Sequence, residues 1–200
     1  MGMKVEQFVM AYKADQDRLR AMLPEGFSSL RPVLRINAEI RQEEQRETVY
    51  LEFNTPVEGF GKRGWLNIGC WESGDTQLTY ERCGPSVIVQ APFLEITYTG
   101  VGTIGGCPAE KDNDGCFFMG ESLAFRAKEE IAQNKEYCNC SFAWRFAPGD
   151  ARGASTDGTS VPAFFAPPQH SYEQQALSPQ NAAAIPCQQV LGSYKVCFER

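Results

Sequence analysis

Apolar and polar residues alternate with a period of two along most of this chain, and this alternation constrains the fold more than any other feature. A period of two places successive side chains on opposite faces of a β-strand. Glycine, proline or charged residues bound each alternating segment, as expected of strands joined by turns. The predicted strands cover residues 5–12, 33–40, 48–54, 64–71, 77–82, 93–99, 116–125, 137–146 and 190–199.

One short helix is predicted at 15–23, directly after the first strand. Asp15 is suited to the N-cap because its carboxylate can accept from the unpaired N–H groups of the first turn. Leu19 and Met22 then fall on one apolar face, and Pro24 cannot continue the helix.

A second short helix is predicted at about 127–134. Many strands with only two helices indicate a single α+β domain, covering 1–200, that is built mainly from antiparallel strands. We expect its sheet to be strongly curved or closed like a barrel, because open edges tend to pair with other chains.

Composition excludes several classes of function. A formal charge of −6, with 22% charged residues, argues against a nucleic-acid-binding surface, which needs clustered Lys and Arg. No run approaches the roughly 20 apolar residues of a membrane span, and the N-terminus lacks a secretory signal pattern. We therefore expect a cytoplasmic protein with neither nucleic-acid nor membrane partners.

Eight cysteines are unusual for such a chain. Disulfide scaffolds belong mostly to short secreted proteins, so we expect most of these thiols to be reduced and buried. A zinc site from Cys107, Cys116, Cys138 and Cys140 is the alternative, but their spacings differ from the C-x2-C pairs that place two thiolates on one turn. The sequence thus predicts no metal and no cofactor.

A long segment at 148–186 is rich in small, polar and proline residues. Unstructured connections of this length are uncommon inside a compact domain, so it is either a lid over a site or an arm that packs on another subunit. Phe164 and Phe165 favour the arm, because adjacent exposed rings need a cover. This predicts a homo-oligomer.

Three parts of the chain resemble the acetoacetate decarboxylase-like superfamily. Residues 12–27 carry a tyrosine, two aspartates, Leu-Arg and then Leu-Pro-Glu-Gly-Phe, like the N-terminal signature of that family. Residues 185–196 begin with Ile-Pro and are similar to its closing strand. Between them, 33–41 and 49–57 are similar to its pair of early strands.

The resemblance implies an interior pocket and a reaction. Members decarboxylate 3-keto acids through a Schiff base on one lysine, whose amine is kept neutral by a neighbouring cation and by desolvation. Glu52 matches a glutamate that lines the family's active site. The lysine motif, in which Gly-Arg-Glu precedes Pro-Lys-Lys, is missing, and no lysine lies between Glu72 and Glu110.

Lys62 is the main candidate to replace the missing lysine, because Arg63 provides the adjacent cation. Its glycine-rich surroundings are also typical of an exposed turn, where a lysine stays protonated and solvated. Lys111 is a second candidate, but neighbouring acids favour its charged form.

We therefore expect a divergent acetoacetate decarboxylase-like protein that binds a small keto acid or related carboxylate, with Glu52 and Lys62 as catalytic candidates. It is either a lyase or, as the alternative, a non-catalytic barrel that binds a small molecule.

Overall fold

A computed structural model describes residues 2–72, 74, 78–92, 94–103, 116–127, 136–146 and 174–200. Within these ranges, twelve strands form one sheet and two short helices pack against it. The strands are β1 (Lys4–Lys13), β2 (Phe27–Ser29), β3 (Val33–Glu43), β4 (Arg46–Gly59), β5 (Lys62–Glu72), β6 (Thr79–Cys83), β7 (Ser86–Ala91), β8 (Leu94–Thr103), β9 (Phe117–Met119), β10 (Ala124–Arg126), β11 (Glu136–Phe146) and β12 (Gln189–Glu199). The helices are α1 (Gln16–Met22) and α2 (Pro179–Ala183).

The strand order is β10-β9-β5-β4-β3-β1-β12-β11-β8-β7-β6, and β2 pairs with β4. Every pair is antiparallel except β5 and β9, which run parallel over two residue pairs. The predicted α+β class, with mainly antiparallel strands, is confirmed. The closed barrel is wrong for the residues described, because β10 and β6 are the two ends of the sheet and do not pair with each other.

The sheet nevertheless curls far enough to bring distant strands together. β6 lies five strands from β1, which is roughly 24 Å in a flat sheet. Arg82 of β6 contacts Glu6 of β1 at 2.8 Å, and the Tyr80 hydroxyl donates to Glu47 of β4. Side-chain contacts, not a backbone ladder, therefore join this edge to the middle of the sheet.

One face of the sheet carries the main apolar core, and we call it the core face. Alternate residues of the central strands lie there, and the β7–β8 part of the sheet packs against them. Its members from the strands include Phe8, Met10, Tyr12, Leu34, Ile36, Leu51, Phe53, Ile68, Val89, Ile96 and Tyr98. The apolar residues of the alternating segments in the sequence are thus the residues of this core.

Helix α1 forms as its sequence predicts. Asp15 is the N-cap, and its Oδ1 accepts from the backbone N–H groups of Asp17 at 2.8 Å and Arg18 at 3.2 Å. Leu19 and Met22 are buried in the main core. The helix thereby fastens the chain between β1 and β2 to the core face.

Several elements differ from the sequence prediction. The strand predicted at 116–125 is a hairpin, β9–β10, with a turn at 120–123. Strands β2 and β7 were not predicted: β2 has only three residues, and β7 lies between turn residues. The helix predicted at 127–134 lies almost entirely outside the described residues.

The end of the predicted arm packs on its own chain. The backbone N–H of Gln175 donates to Ala21 of α1 at 2.8 Å, and Ala182 and Ile185 enter the main core. Residues 148–173 lie outside the part of the chain that the structure describes. The short helix α2 was not predicted, since its sequence has no apolar period.

Within the described residues, none of the helices is long and apolar enough to cross a membrane. The same residues contain no group of three or more metal-binding side chains placed to hold an ion. Of the zinc-site alternative, Cys140 is buried in the core, Cys116 is half-buried and Cys107 lies outside the described ranges.

Gly69 of β5 allows α2 to lie directly on the sheet. A Cβ at this position would meet the Pro179 nitrogen at 2.4 Å, with backbone atoms on both sides of the contact. We expect Gly69→Ala to destabilise the protein by about 1–3 kcal/mol, because overpacking must displace backbone. Urea unfolding measures this change.

Gly100→Ala is the matched control, since Gly100 also lies in a strand and an added Cβ there meets nothing within 4 Å. Equal free energies of unfolding for the two variants would show that α2 does not lie against Gly69.

Candidate functional site

The face opposite the main core carries buried polar residues where β3, β4 and β5 lie side by side, and we call it the polar face. In β3 and β4 the polar residues alternate with core residues, as Asn37 lies between Ile36 and Ala38. Pairing places Asn37 opposite Glu52, and Asn54 opposite Asn67. The buried polar residues of this face are Arg35, Asn37, Glu39, Glu52, Asn54 and Asn67.

Glu52 lies at the centre of this face with only 4% of its surface exposed. Its Oε1 accepts from Asn37 Nδ2 at 2.8 Å and Asn54 Nδ2 at 3.1 Å. Its Oε2 accepts from the Tyr50 hydroxyl at 2.8 Å and Asn67 Nδ2 at 3.1 Å. We call these five residues the Glu52 cluster.

Four donors fill the four lone-pair positions of one carboxylate. These four hydrogen bonds offset the cost of burying the Glu52 carboxylate, which is several kcal/mol for an unpaired ion. Burial, and next the charge of Glu52, raise the pKa of the Tyr50 hydroxyl, so Tyr50 keeps its proton and remains a donor. Glu52 therefore holds its neighbours in place and has no lone pair left for an incoming ligand.

A β-bulge in β5 shapes the edge of this cluster. Phe53 pairs with Gly69 and Asn54 pairs with Asn67, so Ile68 is an extra residue on β5. Ile68 and Gly69 consequently both lie on the core side, while Asn67 and Cys70 both lie on the polar side. A regular strand could not place residues three apart on one face.

A cavity of about 570 Å³ opens over the Glu52 cluster, between the central strands and the β9–β10 hairpin. Glu52, Tyr50 and Asn67 form part of its wall. Arg35 is a further wall residue and is only 3% exposed. Its guanidinium carbon lies 3.9 Å from the Trp65 ring centroid and 5.3 Å from that of Phe117.

An ion network forms the rim of this cavity. Glu39 is 1% exposed and accepts from Arg41 Nε at 2.7 Å and from both terminal nitrogens of Arg200 at 3.2 and 3.3 Å. Arg41 also donates to Glu72 at 2.9 Å, and its guanidinium carbon lies 3.9 Å from the Tyr50 ring centroid. The stacking of Arg41 on Tyr50 joins this network to the Glu52 cluster.

The β9–β10 hairpin covers the cavity from the side of β5. At its turn the Leu123 N–H donates to the Gly120 carbonyl at 3.0 Å. Leu123 has a φ of 50°, a left-handed conformation that costs a bulky residue about 1–2 kcal/mol. Its side chain packs against a small apolar cluster containing Phe118, which offsets that cost and fixes the hairpin on the sheet.

The structure separates the two residues that the sequence put forward as catalytic. Glu52 lines the cavity, whereas Lys62 is exposed next to the β4–β5 turn, with its ammonium 4.5 Å from the Phe125 ring centroid. Along β4, Glu52 lies seven residues from Gly59, the partner of Lys62, which is roughly 23 Å of strand. Lys111 lies outside the described residues.

Sequence reasoning missed Arg35 and the three asparagines. A signal for them exists, because Arg35, Asn37 and Glu39 interrupt an apolar run at every second residue. Such a strand has one polar face. The same pattern occurs in β4 at Tyr50, Glu52 and Asn54, so two neighbouring strands each have a polar face.

Glu52→Gln replaces one acceptor oxygen with an NH2 group, which must then face at least one of the existing N–H or O–H donors. We expect the variant to be destabilised by about 1–3 kcal/mol for each donor that loses its acceptor. Urea unfolding of the purified variant measures the loss. The matched control is Glu72→Gln, whose side chain is 58% exposed and which should change stability by less than about 0.5 kcal/mol. A Glu52→Gln variant as stable as this control would contradict the four-donor arrangement.

Comparison with known proteins gives matches in structure only. No protein-family model and no curated protein matches the amino-acid sequence. An acetoacetate decarboxylase superposes with a TM-score of 0.54 at 12% identity, covering 100% of this chain and 86% of that chain. An acetoacetate decarboxylase-like enzyme from Sphingomonas wittichii RW1 gives 0.51 at 11% identity, covering 99% and 88%.

The enduracididine biosynthesis enzyme MppR, in its complex with pyruvate, gives a TM-score of 0.52 at 13% identity, covering 99% of this chain and 85% of that chain. All three matches extend over nearly the whole of this chain, so the fold that the sequence resemblance implied is confirmed. The chain has the acetoacetate decarboxylase-like fold.

Proposed function

We propose that the cavity over the Glu52 cluster binds a small carboxylate, and that this ligand is a keto acid. The observation that carries the proposal is the Arg35 guanidinium, which is almost fully buried in the cavity wall. A buried cation in a cavity of about 570 Å³ favours an anionic ligand of small-molecule size.

The surroundings of Arg35 suit it for binding a carboxylate. Its contact with Trp65 at 3.9 Å holds the guanidinium plane by cation–π attraction. A guanidinium held by its face presents N–H groups along its edge, in the fork geometry that matches two carboxylate oxygens. Trp65 and Phe117 also exclude water, which strengthens an ionic contact in the cavity.

The charge of the cavity wall supports the same ligand class. Four arginines and three glutamates line it, in a chain whose net charge is −6. Glu39 and Glu72 are both paired with arginines of the rim, and Glu52 is satisfied by neutral donors. The wall therefore has an excess of positive charge.

The keto acid is inferred from the comparisons. MppR has this fold and was solved in complex with pyruvate, which is a small keto acid. Acetoacetate decarboxylase, another protein with this fold, acts on a keto acid according to its name. These two proteins, which are 12–13% identical to this chain, support a small keto acid as the ligand of the present cavity.

Turnover is the second candidate function, and the lyase-type neighbours favour it. Schiff-base chemistry needs a lysine at the cavity, and among the lysines that the structure describes, Lys4, Lys13, Lys62 and Lys195, none lines the wall. The position of Lys62 favours a solvated turn residue over a nucleophile. Binding of the keto acid is the step that the enzymatic and non-catalytic functions share.

Arg35→Lys tests the binding site. The variant keeps the charge but loses the two-pronged geometry, so we expect the affinity for 2-oxobutanoate to fall about tenfold or more, as measured by isothermal titration calorimetry. Arg63→Lys is the control, because Arg63 is exposed and paired with Glu58 outside the cavity. With the wild-type protein, uncharged 2-oxobutanamide should bind far more weakly than the acid.

Equal binding of acid and amide to the wild type would contradict the proposal even if Arg35→Lys failed to fold. Circular dichroism establishes whether the variant is folded before its affinity is compared.

Borohydride trapping separates a lyase from a binding protein. After incubation with pyruvate or acetoacetate and sodium borohydride, we expect mass spectrometry to find no lysine adduct on the lysines described above. An adduct on Lys62 would overturn this expectation, and one on Lys111, Lys128 or Lys135 would establish the enzyme with a lysine from outside the described residues.

A further inference from the structure

Arg126 is a cation of the cavity wall that has no acidic partner among the described residues. It lies on β10, is exposed, and forms no ion pair or side-chain hydrogen bond with any residue in the described ranges. The rim arginines Arg41 and Arg200 are instead paired with Glu39. An exposed arginine without a partner is ordinary on a protein surface, but this one faces a cavity that already contains a buried cation.

The strand pairing places Arg126 next to the Arg35 site. Arg126 lies directly opposite Phe117 across the β9–β10 hairpin, and Phe117 lies opposite Trp65 on β5. Directly opposed residues project from the same face of a sheet. Trp65, Phe117 and Arg126 therefore form one row, and the first two rings of that row contact Arg35.

Phe117 is the residue that both arginines adjoin. Its ring centroid lies 5.3 Å from the Arg35 guanidinium carbon, and opposed Cβ atoms across a strand pair are about 5 Å apart. Arg35 and Arg126 are therefore both neighbours of Phe117 in the wall of one cavity of about 570 Å³. Two cations in one cavity of this size suit a short chain with an anionic group at each end.

We propose that this cavity selects a 2-oxo dicarboxylate, with Arg35 binding one carboxylate at the buried end and Arg126 binding the second at the mouth. The inference rests on the proposed function, since it requires the carboxylate site at Arg35. It adds a specificity residue, and it predicts that a second negative charge on the ligand increases affinity.

The test compares two ligands of equal carbon number, 2-oxoglutarate and 2-oxopentanoate, by isothermal titration calorimetry. We expect the wild-type protein to bind the dicarboxylate about tenfold more tightly, as one additional charge-assisted contact provides. Arg126→Gln should weaken binding of 2-oxoglutarate to about the level of 2-oxopentanoate and so remove this preference. Arg126→Lys should keep part of it.

Arg63→Gln is the matched control, because it makes the same change of charge on an exposed arginine of β5 outside the cavity wall. It should leave both affinities unchanged. Raising the salt concentration should weaken binding of the dicarboxylate more than that of the monocarboxylate, since the contact at the mouth is exposed and screened.

The outcomes separate this inference from the proposed function. Binding of both ligands with equal affinity by the wild type would overturn the role of Arg126 and leave the carboxylate site intact. A preference that survives Arg126→Gln, or that Arg63→Gln also removes, would overturn it as well. Failure of both ligands to bind would overturn the proposed function itself.

Discussion

The burial of one carboxylate, that of Glu52, governs how the three central strands fit together. Its four donors come from β3, β4 and β5, so all three strands must keep their register for the charge to be satisfied. A slip of one residue in β3 would place Ile36 or Ala38 opposite Glu52 and move the Asn37 amide to the core face. The hydrogen bonds of the Glu52 cluster thus specify the pairing that the apolar core alone would leave less sharply defined.

The same strands build the core and the site, because alternate residues serve opposite faces. Leu51 and Phe53 lie in the main core while Glu52 between them lines the cavity. The bulge at Ile68 breaks this alternation in β5, and it brings both Asn67 and Cys70 to the polar face. The same bulge leaves Gly69 on the core side, where α2 requires a residue without a side chain. The single bulge in β5 therefore places two residues in the cavity wall and also positions the glycine against which α2 packs.

Much of the fold follows from the alternation in the sequence, and the limits of that prediction have physical causes. The long strands and the cap of α1 are determined by local chemistry, and the face on which Glu52 lies follows from the apolar positions of Leu51 and Phe53. The β9–β10 hairpin was predicted as one strand because the apolar residues on both sides of the turn continue the strand pattern, although Gly120, with a φ of 75°, marks the turn. The Arg35 site depends on Trp65 and Phe117, which are distant in sequence and meet only through pairing of β5 with β9.

The charged residues are arranged differently at the rim of the cavity and in its deeper wall. Burying Glu39 among Arg41, Arg200 and Gln7 satisfies the acid with donors that lie at the rim. That arrangement also holds the rim arginines away from the cavity centre, because each is already bound to a carboxylate. The deeper wall contains Arg35, whose guanidinium lies against the rings of Trp65 and Phe117. A carboxylate that binds as proposed would therefore pass neutralised pairs at the rim and meet Arg35 at the buried end, where an ionic contact is strongest.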